Sequence, residues 1–125
     1  MARIIITDDS ALARMFVRRC LEIVGPEEAE FVEAGDGQEA LGIAQTSEVD
    51  LVVTDLTMPN MNGVELLCAL KDDPKTADIP VLVITSAGNT AQCEEIRARG
   101  AKILTKPITP PMVIEALEEL MPTLS

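Results

Sequence analysis

Five short apolar runs alternate with segments of helical periodicity, and this alternation limits what the chain can fold into. Short runs rich in Val, Ile and Leu, bounded by polar turns, are typical of strands buried on both faces. The predicted strands are Arg3–Thr7, Glu30–Glu33, Asp50–Asp55, Val81–Thr85 and Ala101–Thr105. A helix is predicted after each strand: it begins behind Ser10, at Gln38, at Val64, at Asn89 and behind Thr109.

The alternation of strand and helix predicts a parallel sheet that helices cover on both sides. Ten elements in 125 residues suit one open five-stranded sheet and are too few for an eight-fold barrel. We therefore predict an α/β fold, a doubly wound, flavodoxin-like sheet with strand order 2-1-3-4-5. Residues 1–125 are expected to form this sheet as a single domain. The start MARIII is expected to be a native beginning, whereas the end at Ser125 leaves open whether the domain stands alone or comes from a longer protein.

The first helix shows the clearest amphipathic pattern. Its apolar residues recur with the spacing of one helix face and predict a buried stripe made of Ala13, Phe16, Val17, Cys20, Leu21 and Val24. Gly25-Pro26 is expected to end the helix. Leu12 and Met15 fall off this stripe and are expected at the surface, beside Arg14, Arg18 and Arg19.

Charge and composition exclude several function classes. The formal net charge is −11, whereas a nucleic-acid-binding surface is basic, and only Phe16 and Phe31 are aromatic, so bases have no stacking platform. The three cysteines form no CxxC pair and no histidine is present, which indicates reduced thiols in a cytoplasmic protein. No apolar run is long enough for a signal-peptide core or a membrane span. An acidic chain suits basic partners or divalent cations.

Polar and charged residues follow the predicted strands at their carboxyl ends, where open parallel sheets bind ligands. Asp8 and Asp9 follow the first strand, Asp55 ends the third, Thr85 ends the fourth and Lys106 follows the fifth. Taken singly, each has an ordinary explanation as a helix cap, a strand end or a turn residue. In the order 2-1-3-4-5 the first and third strands are neighbours, so the three carboxylates are expected to converge.

Three converging carboxylates repel one another, and a bound cation relieves that repulsion. Oxygen ligands alone favour a hard ion such as Mg²⁺, which is held by one or two carboxylates together with water and phosphate oxygens. A carboxylate is also a nucleophile towards phosphorus and can form an aspartyl phosphate. The Lys106 ammonium and the Thr85 hydroxyl can then stabilise the phosphoryl oxygens.

With these residues the sequence resembles the response-regulator receiver family, the chemotaxis-type phosphoacceptor domains. The similarity runs over essentially the whole chain. The matching stretches are IIITDDS at 4–10, VVTDLTMPNMNG at 52–63, VLVITSAG at 81–88 and GAKILTKP at 100–107. The resemblance implies a two-component phosphorelay in which Asp55 accepts a phosphoryl group from the phosphohistidine of a histidine kinase or a phosphotransfer domain. It also implies an acceptor that promotes its own phosphorylation and dephosphorylation without acting as an enzyme on a separate substrate.

The resemblance also implies a role for each residue of the site. Asp9 ligates Mg²⁺ directly, Asp8 does so mainly through water, and Asp55 and the backbone carbonyl of Thr57 complete the set. Thr85 hydrogen-bonds a phosphoryl oxygen and Lys106 pairs with it. A cis bond is expected between Lys106 and Pro107. Thr57 and Ala87 are expected to influence the access of water.

Two positions depart from the family pattern. Ile103 stands where many members carry an aromatic switch residue, and Ile108 replaces another residue that is commonly aromatic. These departures concern the readout of phosphorylation and leave the phosphoacceptor set intact.

Two surfaces are candidates for partners. The apolar and basic patch on the first helix suits a kinase or phosphotransfer domain, although scattered surface residues explain it equally well. The second surface comprises the fourth helix, the fifth strand and the fifth helix, where the family contacts downstream proteins. Polar residues of the fourth helix make this surface polar: Glu94, Glu95, Arg97 and Arg99. A monomer or a weak dimer without membrane insertion is expected.

Three alternatives remain open at this point. A haloacid-dehalogenase-type phosphatase needs a DxD motif and a cap insertion, whereas Asp8 and Asp9 are adjacent and no insertion is large enough. A flavodoxin-like cofactor binder needs a phosphate-binding loop where this chain has two carboxylates. A degenerate receiver that acts only as a scaffold disagrees with the complete pocket.

Overall fold

The computed structural model describes residues 2–86 and 90–121. Five strands and five helices alternate along this part of the chain. The strands are β1 (Ala2–Thr7), β2 (Ala29–Ala34), β3 (Leu51–Asp55), β4 (Val81–Thr85) and β5 (Lys102–Thr105). The helices are α1 (Ala11–Val24), α2 (Gly37–Thr46), α3 (Gly63–Asp72), α4 (Thr90–Ala98) and α5 (Pro110–Leu120).

The strands form one parallel sheet in the order β2-β1-β3-β4-β5, which confirms the predicted fold. The register brings the strand ends level with one another: Thr7 lies opposite Thr54, and Asp55 lies opposite Ile84. Because all the strands run the same way, the residues that follow them meet at one edge of the sheet.

Two apolar clusters hold the helices on the sheet. On one face α1 and α5 pack together over Ile4, Ile6 and Val53. On the other face α2, α3 and α4 cover Ile5 and Val52. Successive strand residues belong to opposite clusters, as the two-residue period of a strand requires. The sheet is therefore buried on both faces, as its continuous apolar runs predict.

Helix α1 differs from its prediction in its buried stripe, of which Ala13 and Val24 are only partly buried. Ser10 caps the helix, with its side chain accepting a hydrogen bond from the amide of Ala13, and the helix ends at Gly25. Val17 and Leu21 are buried, but Phe16 is 55% exposed, so its assignment to the buried stripe is wrong. The helix meets the sheet along a narrower stripe than predicted, and Phe16 lies at its border with Leu12.

Helix α5 also differs at its first turn. Thr109 holds the N-cap position ahead of Pro110, as predicted, but its side chain makes no capping hydrogen bond. Proline at the first helical position removes one of the amides that a cap satisfies and presets the helical φ. The predicted start of α4 at Asn89 lies outside the described residues.

No helix among the described residues is long and apolar enough to cross a membrane.

Candidate functional site

The carboxylates that the sequence places after β1 and β3 do converge. Asp8, Asp9 and Asp55 each offer an oxygen, and these oxygens lie within 4.8 Å of one another. Asp8 is buried with 6% of its surface exposed, Asp55 is half-buried and Asp9 is exposed. The cluster opens to solvent on the side of Asp9, which is the geometry of a site that a hydrated ion can reach.

Asp8 is fixed in place by three hydrogen bonds. Its amide donates to the carbonyl of Ala34 at the end of β2, at 3.1 Å. Its Oδ1 accepts from the amide of Ser10 at 2.9 Å, and its carbonyl oxygen accepts from Nη1 of Arg14. These contacts hold the turn between β1 and α1 and leave Oδ2 of Asp8 facing Lys106.

Lys106 stands between the two inner carboxylates. Its Nζ lies 4.0 Å from Oδ2 of Asp8 and 4.0 Å from Oδ1 of Asp55. Its amide donates to the carbonyl of Thr85 at 2.8 Å, which ties the end of β5 to the end of β4. The bond between Lys106 and Pro107 is cis, as predicted.

The two carboxylate oxygens of Asp55 differ in their hydrogen bonds. Oδ1 accepts a hydrogen bond from the amide of Leu56 at 2.9 Å, whereas Oδ2 accepts none from the described residues. The first residue of α3 packs directly behind it: a Cβ on Gly63 would lie 2.6 Å from the Asp55 carbonyl oxygen. Glycine is therefore required at this close approach.

Thr85 and Thr57 occupy the same edge with different exposure. Thr85 ends β4 and is buried, one residue beyond the position that pairs with Asp55. Thr57 is exposed, two residues after Asp55 in the loop that joins β3 to α3. Ala87 lies outside the described residues.

The loop between β3 and α3 is fastened to the start of α2. Asn60 adopts a left-handed backbone with φ 66°, and its Nδ2 donates to Oδ2 of Asp36 at 2.8 Å. The amide of Gly37 donates to the carbonyl of Met61 at 3.2 Å. A Cβ on Gly37 would lie 2.5 Å from that carbonyl oxygen, so this contact also needs glycine.

The electrostatics of the cluster favour a bound cation. Burial raises the pKa of Asp8, the negative charge of Asp55 raises it further, and the hydrogen bond from Ser10 and the charge of Lys106 lower it. Three carboxylates thus face a single ammonium group. All the side-chain donors are oxygens, so the residues present fit a hard divalent ion.

Comparison with known proteins decides the family. Residues 4–118 match the family model of the response regulator receiver domain. The chain belongs to the response-regulator receiver family. A chemotaxis protein CheY homolog of Campylobacter jejuni is 30% identical over 123 residues, which cover 97% of this chain and 93% of the relative. The chemotaxis protein CheY-3 of Vibrio cholerae is 33% identical over 119 residues, covering 94% and 90%.

Solved receiver structures show the same fold. The chemotaxis response regulator CheY4 of Vibrio cholerae superposes with a TM-score of 0.82 at 30% identity and covers 97% of this chain and 99% of that chain. A response regulator receiver domain from Clostridium thermocellum superposes with a TM-score of 0.84 at 26% identity, covering 98% and 95%.

Membership of the receiver family confirms the predicted role in two-component signalling. Receivers of this family interact with histidine kinases and downstream targets, generally use Mg²⁺ and are not conventional enzymes. The phosphatase and flavodoxin alternatives are therefore set aside. The acidic cluster that the sequence predicts is present and is compatible with magnesium.

The two departures from the family pattern have different surroundings. Ile103 is half-buried, pairs with Val83 across the β4–β5 ladder and packs against the cluster under α2, α3 and α4. Ile108 is buried in the other cluster. Ile108 is therefore part of the core, whereas Ile103 packs against its border.

Two features of the site escaped the sequence analysis. Arg14 was expected only as part of a surface patch, yet it binds the backbone of Asp8. Asn60 was expected only in a loop, yet it binds the N-cap of α2. The signals were a basic residue one turn into α1 and an asparagine between Pro59 and Gly63, but neither names its partner.

Proposed function

We propose that Asp55 is the phosphoacceptor of this receiver and that it takes a phosphoryl group from a phosphohistidine. The convergence of Asp8, Asp9 and Asp55 with Lys106, 4.0 Å from two of them, carries the proposal. Oδ2 of Asp55 is the nucleophile, since Oδ1 is engaged by the amide of Leu56. Its attack forms an O–P bond while the P–N bond of the donor breaks, and the electron pair returns to the imidazole.

Asp8, Asp9, Asp55 and the carbonyl of Thr57 would hold Mg²⁺. When bound, the ion supplies positive charge against the carboxylates and the phosphoryl oxygens. Lys106 supplies a second positive charge, with its Nζ 4.0 Å from Oδ1 of Asp55. Thr85 supplies a hydroxyl at the adjacent strand end for a phosphoryl oxygen. The same set promotes hydrolysis of the aspartyl phosphate, so the receiver also contributes to its own dephosphorylation.

Helix α1 is the proposed docking surface for the phosphodonor. Leu12, Met15 and Phe16 are all more than half exposed. Leu12 and Phe16 line a groove of about 460 Å³ whose other wall includes Lys106 and Pro107. An apolar groove that reaches the site lysine suits a donor domain whose phosphohistidine must arrive at Asp55.

The proposed surface for a downstream target is the polar face around α4. Within the described residues of this helix only Ile96 is buried. Arg99 pairs with Asp72 of α3 at 3.9 Å and with Glu95 at 3.8 Å, so part of this charge is engaged within the protein. With Ile103 packed against the border of the core, readout proceeds through small shifts of packed apolar side chains.

Intact-mass spectrometry after incubation with Mg²⁺ and acetyl phosphate tests the proposal. The wild-type protein should gain the mass of one phosphoryl group, sensitive to hydroxylamine, and removal of Mg²⁺ with a chelator should abolish the gain. Asp55→Asn should gain nothing. Asp50→Asn is a matched control in the residue that precedes the same strand and should label as the wild type does. Unchanged labelling of Asp55→Asn at this site would disprove the assignment.

A further inference from the structure

We propose that Arg14 is a positioning residue that orders the Asp8–Asp9 turn for cation binding. The inference rests on the proposed function, since it concerns the metal site assigned there. Arg14 lies in the first turns of α1, where its amide donates to the carbonyl of Ser10 at 3.0 Å. Its side chain reaches back over that turn to the carbonyl of Asp8.

The guanidinium of Arg14 is held at two points. Nε donates to Oε1 of Glu33 at 2.9 Å, and Nη1 donates to the Asp8 carbonyl. A planar guanidinium presents both donors at a fixed angle, which a lysine ammonium does not reproduce. The side chain is only 19% exposed, so this contact is less screened than a surface ion pair.

On the side of β2, Glu33 and the residue after it hold the Asp8–Asp9 turn. Glu33 lies in β2 opposite Ile6, and the next residue, Ala34, accepts the amide hydrogen of Asp8. The peptide groups on both sides of Asp8 are thus tied to the end of β2, one directly and one through Arg14. Asp9, the exposed carboxylate of the cluster, follows immediately and has its direction set by this backbone.

Removing a group that orients a metal ligand typically lowers metal affinity 10- to 100-fold. The effect of charge alone has the opposite sign. Arg14 is a cation near three carboxylates, so a neutral substitute makes the site more negative and would tighten Mg²⁺ binding. The direction of the change therefore separates positioning from electrostatics.

Arg18 provides a matched control on the same helix. It pairs with the same Glu33 at 3.5 Å and with Glu22 at 3.7 Å, but it makes no hydrogen bond to the Asp8–Asp9 turn. Arg18→Gln and Arg14→Gln therefore remove the same charge and a contact to the same acid, but only Arg14→Gln removes the bond to Asp8. Arg18→Gln removes instead the pair with Glu22 and the stacking of the guanidinium on Phe31, 5.5 Å from its ring centroid.

Calorimetric titration with Mg²⁺ tests the proposal. We expect Arg14→Gln to bind Mg²⁺ about tenfold more weakly than the wild type, and Arg18→Gln to stay within about twofold. Arg14→Lys should remain weakened because it restores the charge without the paired donors. If Arg14→Gln does not fold, Glu33→Gln replaces it as the test, because this variant keeps Arg14 and weakens the contact that holds its guanidinium. We expect Glu33→Gln to bind Mg²⁺ about threefold more weakly than the wild type.

Hydrogen exchange without Mg²⁺ gives a second measurement. The amide of Ser10, which donates to Asp8, should exchange faster in Arg14→Gln than in Arg18→Gln. Equal Mg²⁺ affinity and equal exchange in the two variants would overturn the inference and leave the proposed function standing. A wild-type protein that binds no Mg²⁺ would overturn the proposed function, and the exchange rates would still decide whether Arg14 orders the turn.

Discussion

The interior of the sheet and its carboxyl edge meet at the last residues of β1 and β3. The two regions differ in whether charged side chains are buried there. Inside, Ile4, Ile5 and Ile6 are essentially inaccessible to water and belong to the apolar clusters on the two faces. Two residues after Ile6, just beyond the end of β1, Asp8 is buried beside two other carboxylates. The interior therefore stabilises the fold, whereas the repulsion between carboxylates at the edge lowers stability and provides the functional site.

The largest expected effect belongs to the interior. Leu67→Ala removes a fully buried side chain of α3 and leaves a cavity. We expect the free energy of unfolding to fall by about 3–4 kcal/mol, measured by urea denaturation. The control is Leu12→Ala, at a side chain that is 71% exposed, which should change stability by less than about 0.5 kcal/mol. Similar losses of unfolding free energy in Leu67→Ala and Leu12→Ala would show that the interior does not stabilise the fold more than the surface does.

The junction between interior and edge is tested at two glycines of α2. Gly37→Ala places a Cβ 2.5 Å from the carbonyl of Met61 and should cost about 1–3 kcal/mol, because the loop after β3 must shift. A Cβ on Gly42 meets nothing within 4 Å, so Gly42→Ala should stabilise the helix by about 0.5–1 kcal/mol. Thermal unfolding of both variants measures this difference. A stabilised Gly37→Ala would show that the loop is not fastened there.

At the carboxyl edge, in contrast to the interior, replacing a charged side chain by a neutral one should raise the stability of the protein. Asp8→Asn keeps an oxygen for the Ser10 amide and removes one of three repelling charges. Without Mg²⁺ we expect the variant to be more stable than the wild type by about 1 kcal/mol. Added Mg²⁺ should raise the unfolding midpoint of the wild type and have little effect on the variant. A destabilised Asp8→Asn would mean that the edge is not strained electrostatically.

The smallest expected effect is a pH dependence at the outer part of the edge. The hydrogen bond from the Glu39 amide, followed by that from the Asn60 side chain, lowers the pKa of Asp36 below its usual 3.8. The folded state therefore favours the ionised form, and this contribution is present above pH 3.8 and is lost as the pH falls further. Asp36→Asn should flatten the acid limb of the stability curve, measured by denaturation between about pH 2.5 and 5.

The strands and the carboxyl edge of the sheet could be predicted because they depend on local patterns in the sequence. Apolar runs mark β1, β3 and β4, and each carboxylate follows its run directly, so a parallel sheet brings them together whatever the details of packing. The roles assigned to Asp55, Thr57 and Thr85 at this edge remain predictions.

What could not be predicted depends on contacts between distant elements. Phe16 fits the period of the buried stripe, yet it lies outside the apolar cluster that α1 and α5 form over the sheet and is largely exposed. The partners of Arg14 and Asn60 are set by how β2 and α2 approach the site. A single sequence does not show which distant residues come into contact, so these partners could not be predicted.

The parallel direction of the strands has a consequence for engineering. Every loop that enters a strand lies at the amino edge, where Asp50 binds the amide of Arg3 at 2.8 Å and Arg3 pairs with Glu30 at 3.2 Å. A strand of five residues separates that edge from the acidic cluster by about 15 Å. A reporter peptide inserted at residues 26–28 should therefore leave labelling of Asp55 unchanged, which makes this edge the natural attachment point for a tag or a fused domain.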